Sequence, residues 1–506
     1  MSTKVTYKNP ISPVFSPDPS VVFVNGTFYL VNSSFHIFPA LPIYASRDLR
    51  RWTHIGNAIN RPDQLNLTNA SMVKMPLDTG KFMVGAGGLF APTIRYIAGD
   101  IWSGEWSDPI YIPFHGIDPS LYFDDDDDRV YFQGCYNIDR LKQPSCTIKQ
   151  FELDITTGER LSEEREIWGG HARYDTEGPH IYKVDGWYYL LVAEGGTFEH
   201  HMLCIGRSKD IWGPYEDYLE NPILTADGED EYIQNAGHGE LFQDGSGQWW
   251  AVALAVRNEN QGNVLGTGEF LSLLGRETFL TPVEWPKNGW PRIEQPKIEF
   301  QAKPVESLAG GEAEFKSPPN VADVYIRTPD LSKYNVPEDE KGRISLYPSV
   351  EGFSEPHGTC SFLGRRQLWL NSVSTASLDI TTLSPDIKAG LALYKDNLRH
   401  ASLSYNSTDR KVSCQVVILD SEKTLTGELE IHAAEKEVQF RIASHPTKWD
   451  FFAKAASHDA WTGMGSVSAR EFSAREMTGP IFGVFARTES GGTDLPVIFH
   501  GFDVEN

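Results

Sequence analysis

The amino-acid sequence predicts an all-β protein, with an array of small sheets followed by a β-sandwich. In residues 1–300, turns containing Asn, Asp or Gly recur, and each leads into an aromatic-rich strand. Beyond residue 320, apolar and polar residues alternate over short stretches, as in half-buried antiparallel strands. The length of 506 residues exceeds what one hydrophobic core usually serves, so we expect two domains.

The recurring unit of the first part is a hairpin turn that feeds a buried strand. It occurs as "VNGTFYLVNS" from Val24, "DDDDRVYFQG" from Asp125, "VDGWYYLLVA" from Val184 and "DGSGQWWAVAL" from Asp244. A second shared element follows some of these hairpins, in the segments "YASRDLRRW", "IWSGEWSDPIY" and "IGRSKDIWGPY". Repeated small sheets of this kind are typical of a β-propeller.

The composition of the chain and its pattern of apolar residues change near residue 300. A passage rich in Pro, Gly, Glu and Ala covers residues 301–319, and we interpret it as a linker. The alternating segments "ASLDITTL", "HASLSYN", "KVSCQVVILD", "VQFRIAS" and "IFGVFAR" then predict sandwich strands. We therefore expect a propeller over 1–300 and a sandwich over 320–506.

Charge and composition restrict the partners. The net charge is −24 with an isoelectric point near 5.0, which argues against nucleic acid and against anionic membranes, and fits a neutral substrate. The polar start "MSTKVTYKNP" lacks the apolar core of a signal peptide, and no apolar run reaches membrane-spanning length. We expect a cytoplasmic protein, with a secreted form as the alternative because five glycosylation sequons are present.

Cysteines and cofactor motifs give little signal. The five cysteines are scattered without a disulfide framework or zinc-ligand spacing, although a single disulfide stays open. No phosphate loop or dinucleotide fingerprint appears, so no nucleotide or redox cofactor is expected.

Three acidic residues stand in similar settings before a strand. Asp18 lies in "FSPDPSV", Asp118 in "HGIDPSLYF" and Glu177 in "DTEGPHIYK". Strand starts nearest the axis of a propeller line one funnel, so carboxylates at repeated positions would converge there. Paired carboxylates serve glycoside hydrolysis, as a proton donor and as a base or nucleophile. Asp before Pro also simply starts turns, but three such acids in repeat register favour a site.

The segments that carry these acids resemble glycoside hydrolase family 43, the β-xylosidases and α-L-arabinofuranosidases. The matching segments include "NPISPVFSPDPSVV", "GGLFAPTIRY", "GIDPSLYFDDD", "TEGPHIYKVDGWYYLLVAEGGT" and "NAGHGELFQDGSGQWWAVAL", in order over residues 1–300. The later segments "FLGRRQ" and "AGLALY" resemble the β-sandwich appended to many members.

The resemblance implies a five-bladed propeller followed by a concanavalin-like sandwich, and single-displacement hydrolysis with inversion. By the same resemblance, Asp18 is the general base and Glu177 the general acid. Asp118 is the third carboxylate, which orients the acid and raises its pKa by like-charge proximity.

The resemblance also implies five further site residues. His238 would lie beneath the sugar, and in some members it neighbours a calcium ion or water at the propeller axis. Arg257 would bind sugar hydroxyls, and Phe35, Phe38 and Phe90 match aromatic positions near the pocket. No metal is required, but a structural calcium at the axis with His238 as a contact stays open. Each residue also has an ordinary interpretation as core or surface.

One segment departs from the family pattern. After "GGLFAPTIRY", relatives continue with another hairpin, whereas "IAGDIWSGEWSDPI" follows here. We therefore expect the second blade to be short by about two strands near residues 96–103. Phe90 and Thr93 also replace the Trp and His of many relatives, which alters the predicted shape of the pocket.

The leading functional hypothesis is an exo-acting glycosidase that releases terminal arabinofuranose, xylose or both from arabinoxylan-derived oligosaccharides. The alternatives are a strict β-xylosidase and a non-catalytic carbohydrate-binding propeller. The shortened blade favours the binding protein, and retention of all three carboxylates favours the enzyme. The sandwich is expected either to bind polysaccharide or to narrow the mouth of the propeller.

Overall fold

The computed structural model describes residues 4–12, 14–76, 82–97, 101, 105–139, 141–259, 272–305, 315–336, 342–473, 477–491 and 495–505. Strands dominate these residues, and the predicted all-β fold is confirmed. The described helices are a single 3-10 turn (Leu331–Lys333) and the short helix α1 (Ala469–Phe472). No described helix is both long and apolar enough to cross a membrane.

The first part of the chain folds into small antiparallel sheets. Its strands are β1 (Val5–Lys8), β2 (Ser20–Val24), β3 (Thr27–Val31), β4 (Ile37–Phe38), β5 (Ala40–Ser46), β6 (Thr53–Ile59), β7 (Met72–Pro76), β8 (Phe82–Ala86), β9 (Gly116–Asp124), β10 (Arg129–Asn137), β11 (Cys146–Glu152), β12 (Arg165–Trp168), β13 (Glu177–Val184), β14 (Trp187–Glu194), β15 (Met202–Ser208), β16 (Glu216–Asp217), β17 (Leu224–Thr225), β18 (Ile233–Gln243), β19 (Trp249–Arg257), β20 (Glu277–Glu284), β21 (Arg292–Ile293) and β22 (Glu299–Ala302). The blade-like sheets are β2–β3–β5–β6, β9–β10–β11–β12, β13–β14–β15–β16 with β17 beside β15, and β18–β19–β20–β21.

The hairpins form where the turn residues predict them. Asn25 and Gly26 join β2 to β3 with φ values of 49° and 81°. Asp185 and Gly186 join β13 to β14 with 50° and 72°. Two positive φ values in a two-residue loop are what a type I′ turn requires, and its twist matches that of the flanking strands. These local signals therefore set the register of both strand pairs.

Five segments in the first part share an unusual backbone conformation. The value of φ is 54° at Asp18, 50° at Ala91, 55° at Asp118, 56° at Gly178 and 34° at His238. A proline follows each of the first four residues. Positive φ is uncommon outside glycine, so its recurrence at these places marks one repeated structural element. The repetition of "DPS" in the sequence is the visible part of that repeat.

The second of these segments has no strand among its described residues, which are 91–97, 101 and 105–113. The shortening by about two strands stays a prediction. Residues 98–100 and 102–104, within or beside the predicted range, lie outside the described residues. The segment still reaches the axis, where the Ile94 N–H donates to the Ser20 Oγ at 3.0 Å. The propeller-like arrangement is confirmed, and the count of five blades stays a prediction.

A buried ionic network joins the inner strands. The Glu240 carboxylate on β18 lies 2.6 Å from the Arg95 guanidinium and accepts a 2.6 Å hydrogen bond from Ser20 on β2. His180 on β13 lies 3.6 Å from the same carboxylate, and Arg95 also donates to the Leu121 carbonyl on β9 at 3.1 Å. Burial acts to raise the pKa of Glu240, but the neighbouring Arg95 and His180 and the hydrogen bonds lower it. One guanidinium thus links the strandless segment to three sheets.

Arg95→Met should destabilise the protein more than loss of a surface arginine. It would leave Glu240 as a buried carboxylate without its main counter-charge, which costs about 3–5 kcal/mol of unfolding free energy. Urea unfolding at pH 7 measures the difference. Arg51→Met is the matched control, because the Arg51 side chain is exposed and pairs with the nearby Asp48. Equal unfolding midpoints for the two variants would contradict a stabilising role for the network.

The second part forms a sandwich. Its strands are β23 (Tyr325–Ile326), β24 (Tyr334–Asn335), β25 (Ile344–Leu346), β26 (Phe362–Arg366), β27 (Val373–Asp379), β28 (Ile387–Asp396), β29 (Arg399–Asn406), β30 (Lys411–Ile418), β31 (Ser421–Thr424), β32 (Leu429–Glu430), β33 (Glu437–His445), β34 (Lys448–Ala455), β35 (Thr462–Ser468), β36 (Ile481–Thr488) and β37 (Val497–Glu505). One sheet has the order β24–β25–β37–β27–β33–β34–β35, and the other β26–β36–β28–β29–β30–β31, with β32 beside β30. The apolar residues of the predicted alternating segments form the core between the sheets.

The two parts pack directly on one another. Strand β4 pairs with β23, so that Phe38 lies opposite Tyr325. The hairpin β7–β8 also meets the sandwich, because the Asn397 side chain bonds both the N–H and the carbonyl of Met72, at 2.8 and 3.0 Å. Strand β22 extends to Ala302 within the predicted linker, and residues 306–314 of that linker lie outside the described residues. The domain boundaries stay a prediction.

The cysteines are free thiols, and all five are buried. The disulfide that the sequence left open is therefore not formed in this structure. Burial raises the pKa of the Cys360 thiol to about 12, and it also raises the pKa of the Cys204 and Cys414 thiols. These thiols behave as small core residues.

Candidate active site

The three predicted carboxylates lie where inner strands begin. Asp18 is two residues before β2, Asp118 is the third residue of β9, and Glu177 is the first residue of β13. Asp18 and Asp118 occupy equivalent positions in the backbone repeat, each with positive φ directly before a proline. In the third segment Gly178 takes that position, so Glu177 lies one residue earlier than a strict repeat would place it.

His238 brings the carboxylates together. Its Nδ1 lies 3.7 Å from an oxygen of Asp118 and 4.0 Å from an oxygen of Asp18. Ligand-type atoms of Asp118, Glu177 and His238 lie within 4.8 Å of one another. All three acids are therefore clustered around one imidazole, as the propeller prediction requires.

The surroundings of Asp18 keep it ionised. The side chain is buried, and burial alone would raise its pKa, but the charges of Arg276 and His238 and a short hydrogen bond from Ser33 hold the pKa below its ordinary value. Arg276 lies 3.7 Å from Asp18. The Ser33 hydroxyl is itself held by the Ala91 N–H at 2.7 Å. Asp18 is thus a rigid, buried anion, which suits a base.

Asp118 and Glu177 are coupled through the backbone. An oxygen of Asp118 accepts a 3.0 Å hydrogen bond from the N–H of Gly178, next to Glu177. Gly178 also has φ of 56°, and a Cβ there would lie 3.3 Å from the His238 ring. Glycine at this position therefore allows both the turn and the close approach of His238. Asp118 is buried, whereas Glu177 is partly exposed.

A buried carboxylate fixes the turn that precedes Glu177. Glu194 is fully buried and accepts hydrogen bonds from the backbone N–H groups of His171, Ala172 and Arg173, at 2.9, 3.1 and 2.8 Å. It also accepts one from the Thr176 hydroxyl at 3.1 Å. Side-chain capping of several backbone donors makes this segment rigid. Glu177 thus enters the site from a turn held in place by the neighbouring strand β14.

Arg276 is a site residue that the sequence analysis did not identify. Its side chain is buried beside Asp18, and it donates to the Thr197 hydroxyl at 2.8 Å and to the Met477 carbonyl at 3.1 Å. Among the described residues, its buried Nε has no hydrogen-bond partner. A signal was present, because the pair Arg276–Glu277 interrupts the apolar run "LSLLGRETFLTPV". Charged residues in a buried strand are usually paired or functional.

Arg276→Met should move the acidic limb of the pH profile of kcat/KM to higher pH. Without the guanidinium, burial would dominate and raise the pKa of Asp18, so the base would be lost at a pH where the wild type is still ionised. Arg276→Lys keeps the positive charge and is the matched control. An acidic limb that stays in place in Arg276→Met would show that Arg276 does not set the ionisation of Asp18.

The predicted aromatic residues divide into two groups. Phe35 and Phe90 are stacked with ring centroids 5.7 Å apart, and the Arg276 guanidinium lies 5.6 Å from the Phe35 ring. These two rings therefore border the carboxylate cluster. Phe38 instead packs on Tyr325 at 6.5 Å, in the strand pair between the two parts of the chain. The described contacts of Phe38 are those of a core residue at this junction.

Arg257 lies at the end of β19, where the sequence predicted a sugar ligand. Its Nε and one terminal nitrogen bond the Glu277 carboxylate at 2.8 and 2.9 Å. Glu277 is fully buried, so this fork-like pair compensates a carboxylate in the core. Among the described contacts, Arg276 approaches Asp18 and Arg257 does not.

The carboxylate cluster is also a candidate metal site. Asp118, Glu177 and His238 form the only group with three suitable ligands that the described residues contain. Calcium takes six to eight oxygen ligands, whereas this group offers two carboxylates and a ring nitrogen. One Asp118 oxygen already accepts the Gly178 N–H, and Arg95 brings a positive charge to the axial network of Glu240. These three residues alone do not complete a calcium shell, and the structural calcium stays a prediction.

Comparison with known proteins identifies the family. Residues 7–291 match the sequence profile described as "Glycosyl hydrolases family 43". The chain belongs to glycosyl hydrolases family 43. Residues 314–505 match "Beta xylosidase C-terminal Concanavalin A-like domain", which confirms the predicted sandwich type.

Relatives in the family cover nearly the whole chain. The "Non-reducing end alpha-L-arabinofuranosidase BoGH43B" of Bacteroides ovatus is 30% identical over 98% of this chain and 94% of its own length. The "Xylan 1,3-beta-xylosidase" of a Vibrio species is 30% identical over 80% of each chain. The crystal structure of xylan beta-1,4-xylosidase from Bacillus halodurans superposes with a TM-score of 0.83 at 26% identity, covering 99% of this chain and 100% of that chain.

Proposed function

We propose that this family 43 chain is an exo-acting, inverting glycosidase that releases terminal α-L-arabinofuranose, β-D-xylose or both from arabinoxylan-derived oligosaccharides. The clustering of Asp18, Asp118 and Glu177 around His238 carries the proposal, because it combines an ionised base with further carboxylates in one pocket. The names of the Bacteroides and Vibrio relatives support both sugars.

In the proposed mechanism, Asp18 removes a proton from water as that water attacks the anomeric carbon. Glu177 gives its proton to the leaving glycosidic oxygen in the same step, so the configuration inverts. Asp118 accepts the Gly178 N–H and lies beside Glu177, where its charge would favour the protonated form of the acid. Arg276 holds Asp18 ionised, and Phe35 and Phe90 would pack on the sugar.

The decisive experiment is incubation with aryl xyloside, aryl arabinofuranoside and arabinoxylan oligosaccharides, with identification of each released monosaccharide. Release of arabinose, xylose or both establishes the sugar, and xylose alone means a strict β-xylosidase. NMR of the first product formed reports its anomeric configuration. Release of a product that keeps the configuration of the substrate would overturn the inverting mechanism.

A second candidate function is carbohydrate binding without hydrolysis. The strandless second segment favours it, because loss of a sheet removes part of the frame around the pocket. The ionised Asp18 beside two other site carboxylates is not needed for binding alone. A purified protein that melts cooperatively, binds xylo-oligosaccharides and releases no sugar would favour this function over the enzyme.

A further inference from the structure

A second polar cleft lies on the sandwich. It runs between residues 349–361 and the sheet β26–β36–β28–β29–β30–β31, and its volume is about 120 Å³. None of its lining residues belongs to the carboxylate cluster. This volume far exceeds the space that one ordered water needs, and it is well below that of pockets for drug-sized ligands. The cleft is therefore sized for a single small ring.

Strand alternation directs polar side chains into the cleft. His400, Ser402 and Ser404 alternate along β29, and Gln415 and Val417 alternate along β30. Ser402 pairs with Gln415 across the two strands, and His400 pairs with Val417. The intervening residues of both strands belong to the sandwich core. One face of this sheet thus presents a row of polar side chains to the cleft.

One buried group at the cleft has no partner among the described residues. The Nδ1 of His400 is buried without a hydrogen-bond partner there, and the residue is 6% exposed. The other ring nitrogen of His400 lies 2.9 Å from the Ser354 hydroxyl, which fixes the ring. Burial lowers the pKa of His400 to about 3, so the ring is neutral near pH 7. Orphaned buried polar groups in a cavity normally bind a ligand or water.

The charges at the cleft indicate a neutral ligand. Glu351, Glu355 and Glu422 line it together with Lys388 and Arg487, so acidic side chains outnumber basic ones. Lys388 is already paired with Glu489 at 2.8 Å. An anion would meet net repulsion here. Hydroxyls, an amide and a neutral imidazole next to an aromatic ring are instead the groups that recognise a sugar, which has both hydroxyls and an apolar face.

We propose that this cleft binds one neutral pentose unit of a glycan, separately from the propeller site. One hydroxyl of the sugar satisfies the Nδ1 of His400, and a further hydroxyl bonds the Gln415 amide. The Phe353 ring, which contacts His400 at a centroid distance of 5.4 Å, supplies the apolar wall. The choice of a pentose rests on the proposed function, whereas the cleft itself does not.

The test follows the methyl groups of Val417 by NMR, because this side chain lines the cleft opposite His400. The full chain is titrated with xylose and with arabinose, and Val417→Ile assigns the resonance. We expect a saturable shift of the Val417 signal with at least one of the two sugars. Gln415→Ala should weaken that binding about fivefold to tenfold, since it removes one hydrogen bond.

Ser413→Ala is the matched control, since Ser413 lies two residues before Gln415 on β30 and does not line the cleft. It should bind like the wild type. A Val417 signal that moves with neither sugar, or that moves equally with glycerol, would overturn the proposal. Because the readout is local to the sandwich, it stays valid if the propeller proves to be inactive. A Val417 shift in a protein that hydrolyses none of the glycosides would refute the proposed function and would leave the proposal of a sugar-binding cleft standing.

Discussion

Replacing Asp18 by asparagine should reduce kcat on aryl arabinofuranoside and aryl xyloside by about 10²–10⁴-fold, the usual contribution of a positioned acid or base. The amide cannot accept the proton of the attacking water. The site is built for an anion, because Arg276 and His238 lower the pKa of this buried carboxylate and Ser33 donates to it. Initial rates at saturating substrate measure the loss.

Asparagine is the appropriate replacement because it tolerates the left-handed conformation of this position, where φ is 54°. We therefore expect Asp18→Asn to fold, with a melting temperature below that of the wild type because the buried Arg276 loses its counter-charge. Asp125→Asn, at the exposed tip between β9 and β10, is the matched control and should keep full activity. Wild-type-like turnover in Asp18→Asn would exclude Asp18 as the base.

Replacing Glu177 by glutamine should give a loss that depends on the leaving group. With xylobiose we expect kcat/KM to fall by about 10²–10⁴-fold, because the departing sugar oxygen needs a proton. With a dinitrophenyl glycoside the loss should be much smaller, since that phenolate leaves without protonation. The basic limb of the pH profile, which reports the protonated acid in the wild type, should also disappear.

The control variant is assayed with the same two substrates. Glu166→Gln, at an exposed position on β12, should change neither rate. Equal losses on xylobiose and on the dinitrophenyl glycoside in Glu177→Gln would contradict the role of a general acid. Such a result would assign Glu177 to binding or to the structure of the turn held by Glu194.

Much of the fold followed from local sequence signals. The Asn-Gly and Asp-Gly turns form hairpins, and the alternating segments beyond residue 320 form the sandwich strands. These predictions succeed because turn conformation and two-residue alternation depend on near neighbours in the chain. The repeated "DPS" likewise marked two equivalent positions, and the backbone shows nearly equal φ values at Asp18 and Asp118.

The two arginines show what local sequence patterns could not predict. Arg257 and Arg276 both adjoin apolar strands, and the resemblance to the family predicted Arg257 as the site residue. In the structure Glu277, the chain neighbour of Arg276, bonds Arg257 across the β19–β20 pair, and Arg276 turns to Asp18 instead. Which arginine meets which carboxylate depends on strand register, which brings together residues that are far apart in sequence.

By itself, the sequence determined the strand types, the hairpin turns, the three acidic residues and the family of the chain. The tertiary structure decided that His238 joins these acids, that Arg276 holds Asp18 ionised, and that Arg95 keeps the strandless segment at the axis. It also placed the orphaned His400 in a cleft of the sandwich. The physical reason is the distance along the chain over which each property is set. Turns and alternation depend on residues that are close in sequence, whereas burial and the pairing of charges follow from contacts between distant segments.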